Sequence, residues 1–386
     1  MARLRLFALG LFFLFPLVGR AQIELSSAAK ISVLTCSEGP ELHSAFGHSA
    51  LHVFDPGIGI DQVYNFGTFD FDAPNFYLNF VKGKLDYFVS ISSYNAFSAY
   101  YKYVGRSVVR QELHLNTQQK QQIFDALVFH AKPENKYYRY DFLTENCATK
   151  IPEILVVSLG DSLFVPSSFD PKYLTYRSTI HEHLSLFSWK RFGIDLVLGA
   201  RVDQPIKGAA LAYLPIYLKE LLAQSSFYGQ PIVRETRVEI PKAYELQEAS
   251  FIYSPLLVVS LLLFYVLVSL WLGKTKRGYA FFDQLMLLII GSVGLLLTFL
   301  NFFAEHYATA VNFSIFWANP LLIVALFFRS KTLLQVVAIL SILIVPLALL
   351  GIQYFSIELM LCALMTVLLT IKRGAFTPHP SVTPQV

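Results

Sequence analysis

Two hydrophobic patterns divide the chain. Between residues 22 and 250, apolar positions come in short runs separated by turn residues; from about 254 to 371 they are almost continuous. In the first part, residues 49–54 predict a strand with apolar side chains on both faces, closed by the turn Asp55-Pro56-Gly57. Residues 62–66 predict a second strand, 74–82 an aromatic-rich helix, and 85–91 and 107–115 further strands. Thr117 is placed as the cap of a helix running to Ala131. A weakly alternating stretch, 29–36, leads into a turn at Cys36. Residues 151–159 form an apolar helix that begins just after Cys147. Helices are expected over 171–184 and 211–223, and a last strand over 232–239. The Gly-flanked apolar run 192–199 is expected to lie against a membrane.

The second part divides into five spans, 254–273, 280–301, 311–328, 333–352 and 355–371, each near the ~20 residues a bilayer core requires. Lys274, Lys276 and Arg277 follow the first span, Arg329 and Lys331 the third, and Lys372 and Arg373 the fifth. The other two loops carry no lysine or arginine, so the N-terminal domain is expected outside and the C-terminus inside. The leader agrees: Arg3 and Arg5, an apolar run over 6–18, and Gly19-Arg20-Ala21 before Gln22 form a secretory signal. The expected organisation is a signal peptide (1–21), an exported domain (22–250), a transmembrane domain (251–373) and a disordered cytoplasmic tail (374–386).

Composition sharpens this division. Of the 386 residues 54% are hydrophobic and 15% charged, against about 25% charged in soluble domains. A net charge of +4 with no basic stripe gives no footprint for nucleic acid. Three cysteines, an odd number in an oxidising compartment, leave at least one outside any internal disulfide.

The candidate chemistry centres on Cys147. It lies at a helix start, where the helix dipole favours thiolate, and small Ala148 leaves room for a substrate. A buried inert thiol and half of a disulfide are the structural alternatives. A thiol nucleophile needs a base within reach. His43, His48, His52, His114, His130, His181 and His183 all precede the membrane part. His48 opens a strand directly after Gly47, His52 shares its face, and Asn65 on the next strand could orient an imidazole. A strand-borne histidine facing a helix-start cysteine is a papain-like arrangement in permuted order. Glu305-His306 fall in the loop after the second span, on the same side as Cys147, as candidates to point into its site.

The runs Leu34-Thr35-Cys36-Ser37, Phe46-Gly47-His48-Ser49-Ala50-Leu51, Tyr64-Asn65-Phe66-Gly67-Thr68-Phe69-Asp70 and Asn146-Cys147-Ala148-Thr149 resemble those of the Lnb-type bacterial lipoprotein N-acyltransferases. The likeness continues through Thr175-Tyr176-Arg177, Gly193-Ile194-Asp195, Gly199-Ala200-Arg201-Val202-Asp203, His306, Asn312 and Trp317-Ala318-Asn319-Pro320. It implies an α+β domain of permuted papain-like (NlpC-type) fold, followed by an all-α five-helix membrane domain. It implies His48 and Cys147 as the catalytic pair and does not give the third group, for which Asn65 is the candidate by its place on the next strand. Arg177 and Asn146, in matched runs, are the expected substrate-binding residues together with Glu305 and His306. His52 and Ser314 depart from the pattern, standing where an arginine and an asparagine are expected.

The implied reaction takes an acyl chain from a membrane phospholipid through a Cys147 thioester. The chain passes to the N-terminal amine of a diacylglyceryl-cysteine lipoprotein, at the inner membrane, with the catalytic domain facing the periplasm. No metal or cofactor is expected. The alternatives are a membrane-tethered NlpC-type peptidase or amidase acting on peptidoglycan, and a non-catalytic scaffold in which Cys36 and Cys147 are disulfide-bonded.

Overall fold

A computed structural model describes residues 23–160, 163–164, 174–243, 245, 247–272 and 277–374. The signal peptide, Lys274, Lys276 and the tail from 375 onward lie outside the described residues.

A seven-stranded antiparallel sheet organises the N-terminal domain. Its strands are β1 (Lys30–Cys36), β2 (His48–Asp55), β3 (Ile60–Thr68), β4 (Asp86–Ser93), β5 (Val108–Leu113), β6 (Tyr137–Arg139) and β7 (Val233–Ile240). Their order across the sheet is β7-β5-β1-β2-β3-β4-β6. Alternation sorts the side chains to two faces. Ile31, Val33, Leu51, Val53, Tyr64 and Phe66 join the main core, with Phe124, Ile151 and Leu218 from the covering helices α3 (Thr117–His130), α4 (Lys150–Leu159) and α7 (Pro215–Gln224). Leu34, Cys36, Ala50 and Val63 enter a smaller core under α2 (Tyr94–Tyr103). Both faces being buried, a one-residue slip of β2 would exchange His52 and Leu51 between two cores, so the register is strongly specified.

The strand ends fall within a few residues of the sequence expectation. Helix α1 (Phe76–Lys82) was expected to begin at 74, and α2 was not foreseen. The cap of α3 is Asn116, not Thr117. Its side chain accepts from the Gln119 N–H while Gln119 answers the Asn116 N–H, a complete capping box. Short helices α5 (Tyr176–His181) and α6 (Trp189–Val197) follow.

The C-terminal region is helical: α8 (Pro255–Trp271), α9 (Arg277–Phe302), α10 (Leu321–Phe328), α11 (Lys331–Ile342), α12 (Ile344–Leu349) and α13 (Ile357–Lys372). Ala280–Phe302 and Lys331–Leu349 are long and apolar enough to cross a membrane; Pro255–Trp271 and Phe313–Phe328 are shorter. The expected span over 311–328 is divided. Phe313–Phe316 is a 3₁₀ turn, and α10 starts only after Pro320, whose ring cannot continue a helix from the preceding turn. Pro346 likewise lies just beyond the junction of α11 and α12.

The two parts share a continuous seam. Phe192, Leu196 and Val197 of α6, expected to lie against a membrane, instead pack into the helical core of the C-terminal region. Gly199 N donates to Ala308 O and Ala200 N to Val311 O, both at 2.9 Å. Asn312 Nδ2 donates to Leu196 O at 2.8 Å. A Cβ at Gly199 would run into the Ala310 carbonyl, so only glycine allows this approach.

Candidate active site

The site lies where β2 and β3 part. Their pairing runs from Asp55↔Ile60 to Leu51↔Tyr64 and stops there. Past that point the Ser49 N–H is directed at the Cys147 sulfur. From the other strand, Gly67 comes against the same residue: at φ +83° it ends a bulged stretch of β3, and a Cβ there would lie 3.5 Å from the Cys147 Cβ. The two strands and the turn into α4 thus meet at the thiol.

Asn146 builds that turn. Its Oδ1 accepts from the N–H groups of Ala148 (2.7 Å) and Thr149 (3.0 Å), while Thr149 Oγ1 accepts from Asn146 N at 2.8 Å. Its Nδ2 donates to Phe142 O and Tyr213 O at 2.7 and 2.9 Å. All its hydrogen-bonding capacity is used and it is 4% exposed. Asn146 therefore sets the conformation of its neighbour Cys147 and faces protein, not an open site.

His48 and Asn65 face each other across the gap, with Nε2 3.3 Å from Asn65 Oδ1. Asn65 Nδ2 donates to Val63 O and Ser92 Oγ, both at 3.3 Å. Those two bonds assign the amide's orientation, so its oxygen faces the ring and His48 Nε2 carries the proton. Nδ1 is left as the acceptor nitrogen. Both His48 and Cys147 are half-buried.

Electrostatics keep the pair neutral at rest. Burial pushes the Cys147 thiol up, against the N–H groups of Ser49, Cys147 and Ala148 and the charge of Arg106, which favour thiolate. The helix-start lowering expected from sequence is present but outweighed. Burial pushes His48 down to about 4, opposed by its bond to Asn65 and reinforced by Arg106. Arg106, from the turn before β5, was not singled out in the sequence, where no motif marks it. Cys36, Cys147 and Cys362 are all free thiols, so the disulfide alternative is not realised. Cys36 faces the smaller core, and burial raises it to about 12.

His52 is a core histidine, 2% exposed, with Nε2 2.7 Å from Asp61 Oδ1 and its ring stacked on Tyr94 at 4.7 Å. Arg177 is likewise buried. Its Nε and Nη1 meet Asp203 and Asp195 at 2.6 and 3.1 Å, and Nη2 donates to Leu198 O, Gly199 O and Asp203. Asp203 also accepts from Tyr354 N, at 3.1 Å, tying this cluster to the C-terminal region. Glu305 and His306 dock on α1 and its neighbours: Glu305 N donates to Lys82 O, its carboxylate lies 3.1 Å from Lys84 Nζ and 3.8 Å from Arg139, and His306 Nε2 donates to Phe80 O at 2.6 Å. Among the described residues, the polar contacts of Arg177, Glu305 and His306 are with these partners rather than with Cys147, His48 or Asn65. The structure thus pairs His48 with Asn65, sets the N–H of Ser49, the residue after His48, against the Cys147 sulfur, shapes the turn at Cys147 with Asn146, and places the other three along the seam.

Two family models match the chain. The Lnb N-terminal periplasmic domain matches residues 18–179 and the Lnb transmembrane domain matches 247–376, together most of the sequence. No curated protein and no solved structure compared with the chain matches it. The matched segments contain six of the seven strands of the sheet, all but β7, with Cys147, His48 and Asn65, and the helical region. The chain belongs to the Lnb family, as a membrane protein with a periplasmic domain.

Proposed function

We propose that the chain is a membrane-bound lipoprotein N-acyltransferase of the inner membrane, with five membrane spans and its thiol domain of permuted papain-like type. The observation that carries this reading is the His48–Asn65 pair, with its tautomer fixed, on the strand whose next residue, Ser49, turns its N–H to the Cys147 sulfur.

In the first half-reaction His48 Nδ1 takes the Cys147 proton as the sulfur attacks an ester carbonyl of a phospholipid. The C–S bond forms, the ester C–O bond breaks, and the proton passes to the departing lysophospholipid oxygen. In the second, the α-amine of a diacylglyceryl-cysteine lipoprotein attacks the thioester. The amide forms, the C–S bond breaks, and a proton returns to sulfur through His48. Backbone N–H groups around Cys147 are the donors for the developing oxyanion. The neutral resting pair suits this cycle, because proton and nucleophile move together rather than from a preformed ion pair.

A peptidase on a tether would use the same pair. The backbone seam at Gly199, Ala200 and Asn312 favours the acyltransferase, because it holds the thiol domain to the membrane region rather than leaving it on a leash. The test is mass spectrometry of lipoprotein N-termini from cells with and without the protein, paired with detection of acyl-Cys147 on the purified chain. Unchanged N-acylation in cells lacking the protein, together with no acyl-Cys147 on the purified chain, would overturn the reading.

A further inference from the structure

A second cavity, about 1290 Å³, opens in the periplasmic domain beside the loop that leads to His48. Arg106 lines it. This arginine is 5% exposed, with one hydrogen bond from Nε to Ser37 O at 2.6 Å and its guanidinium over the Tyr101 ring. Its Nη2 is buried with no partner, and among the described residues no carboxylate forms an ion pair with it. A buried guanidinium without a counter-ion is costly, and an anion entering the cavity would remove that cost.

His183 gives a second, independent sign. It also lines the cavity, its side chain is 8% exposed, and its Nε2 is buried without a partner. Its ring packs on Phe46, which packs in turn on Phe142 of the turn before Cys147. One aromatic ring thus stands between the cavity and the nucleophile's loop.

The remaining lining argues against a simple anion site: Lys190 adds one cation, but Glu38, Glu41, Glu182, Glu245 and Glu248 all line the cavity, and a bare phosphate would meet their repulsion. A ligand carrying both a phosphate and an ammonium group satisfies both sets of residues. The cavity also reaches the level of the bilayer. Tyr253 and Trp189 line it, Trp189 Nε1 donates to Tyr253 O at 2.8 Å, and Tyr253 immediately precedes Ser254, which caps α8. Phe251, Ile252 and Tyr253 are exposed, as interfacial aromatic and apolar residues are.

We propose that this cavity is the headgroup site for a zwitterionic, ammonium-bearing phospholipid, with the phosphate at Arg106 and the ammonium among Glu41, Glu245 and Glu248. The assignment rests on the acyltransferase reading only in making this lipid the acyl donor; the binding itself is independent of it.

The test uses the full chain carrying Cys147→Ser, which forms no thioester, studied by native mass spectrometry in detergent. Phosphatidylethanolamine and phosphatidylglycerol with matched chains are supplied at equal concentration. Phosphatidylethanolamine should be retained in preference. Arg106→Gln should lower its retention about tenfold, the scale of one charged hydrogen bond, and Arg106→Lys should restore part of it. The double variant Glu245→Gln/Glu248→Gln, at exposed positions, should bring phosphatidylethanolamine down to the level of phosphatidylglycerol. It carries the test if Arg106→Gln does not fold. Equal retention of the two lipids by the parent chain overturns the proposal, as does unchanged preference in the glutamate double variant. Arg106-dependent binding of inorganic phosphate without lipid retention overturns it in favour of a soluble-anion site. Lipid binding as expected, with no acyl transfer by the unmodified chain, would leave this site standing and remove the catalytic reading.

Discussion

Asn65 Oδ1 accepts the Nε2 proton of His48 at 3.3 Å, and the two bonds made by Asn65 Nδ2 leave that oxygen no other orientation. One hydrogen bond thereby decides which ring nitrogen is free to accept a proton, and on the proposed function that nitrogen is the base. His48→Ala is expected to slow formation of acyl-Cys147 by about 10²-fold or more, the scale of a lost general base. Asn65→Ala, which frees the tautomer but keeps the base, should cost about tenfold. His52→Ala should leave the rate near that of the parent and lower the melting temperature instead. An inactive His52→Ala beside an active His48→Ala would reverse the assignment.

Cys147→Ser should abolish acyl transfer while the protein still folds and inserts. A hydroxyl is a far weaker nucleophile than sulfur with the same base. Intact-mass measurement should show no acyl adduct on the variant after incubation with phospholipid. Full turnover by purified Cys147→Ser would end the thioester mechanism.

The pH profile follows from the buried pair. Below about pH 4 His48 is protonated and cannot take the thiol proton, so kcat/KM should fall on the acid side near 4. An unperturbed histidine would place that limb near ~6.5. Because the bond to Asn65 raises His48, Asn65→Ala should move the limb further to acid. Stability has the same sign. The unfolded chain protonates His48 near ~6.5 and the folded chain only near 4, so this contribution is present above 6.5 and is lost as pH falls toward 4. A limb near 6.5 in the parent enzyme would contradict the burial of this ring.

The seam offers a contrast in energies. The Glu305 ion pairs are about half exposed and worth roughly 0–1 kcal/mol, so Glu305→Ala should barely shift the melting temperature. Arg177→Met would strand Asp195 and Asp203 in a buried site and should cost about 3–5 kcal/mol. Glu305→Ala and His306→Ala are both expected to lower lipoprotein acylation without changing membrane insertion, by loosening the hold of the 303–310 loop on α1. Unchanged turnover in both variants would reduce that loop to a connector.

Orientation can be read with a membrane-impermeant thiol reagent, in a Cys147→Ser background. A cysteine at Phe303, exposed in the loop after α9, should be labelled from the periplasm. One at Thr332, beside Arg329 and Lys331, should be protected. The opposite pattern would invert the proposed topology.

Much of the site was legible because its chemistry is local. Asn146 through Thr149 is a self-contained turn, and its link to a following apolar helix marks Cys147 as a helix-start residue. His48 and Asn65 belong to short apolar runs bounded by turn residues, which mark strands even where both faces are apolar. What escaped was set by distant packing. Arg106 touches the pair only through its field, and nothing near it in sequence announces that. Arg177 resembled a ligand-binding arginine until Asp195 and Asp203, 18 and 26 residues away, were seen to enclose it. Helix α2 was missed because its Phe97 and Tyr101, the residues that bury it, sit among exposed tyrosines such as Tyr100 and Tyr103. The expected low thiol pKa was missed for a related reason: a helix-start effect can be read from sequence, whereas burial cannot.

The raised thiol has a consequence for endurance. Thiolate, not thiol, is the nucleophile that attacks oxidants and disulfides, and the periplasm is an oxidising compartment. A cysteine that stays protonated until a substrate and its base act on it is a poor target for sulfenic acid formation or mixed-disulfide exchange. Cys36 is buried in the smaller core, where burial raises its thiol to about 12, so it offers no resolving thiol. On the proposed function, burial at Cys147 thus trades a ready anion for a sulfur that can wait, chemically silent, between one lipid and the next.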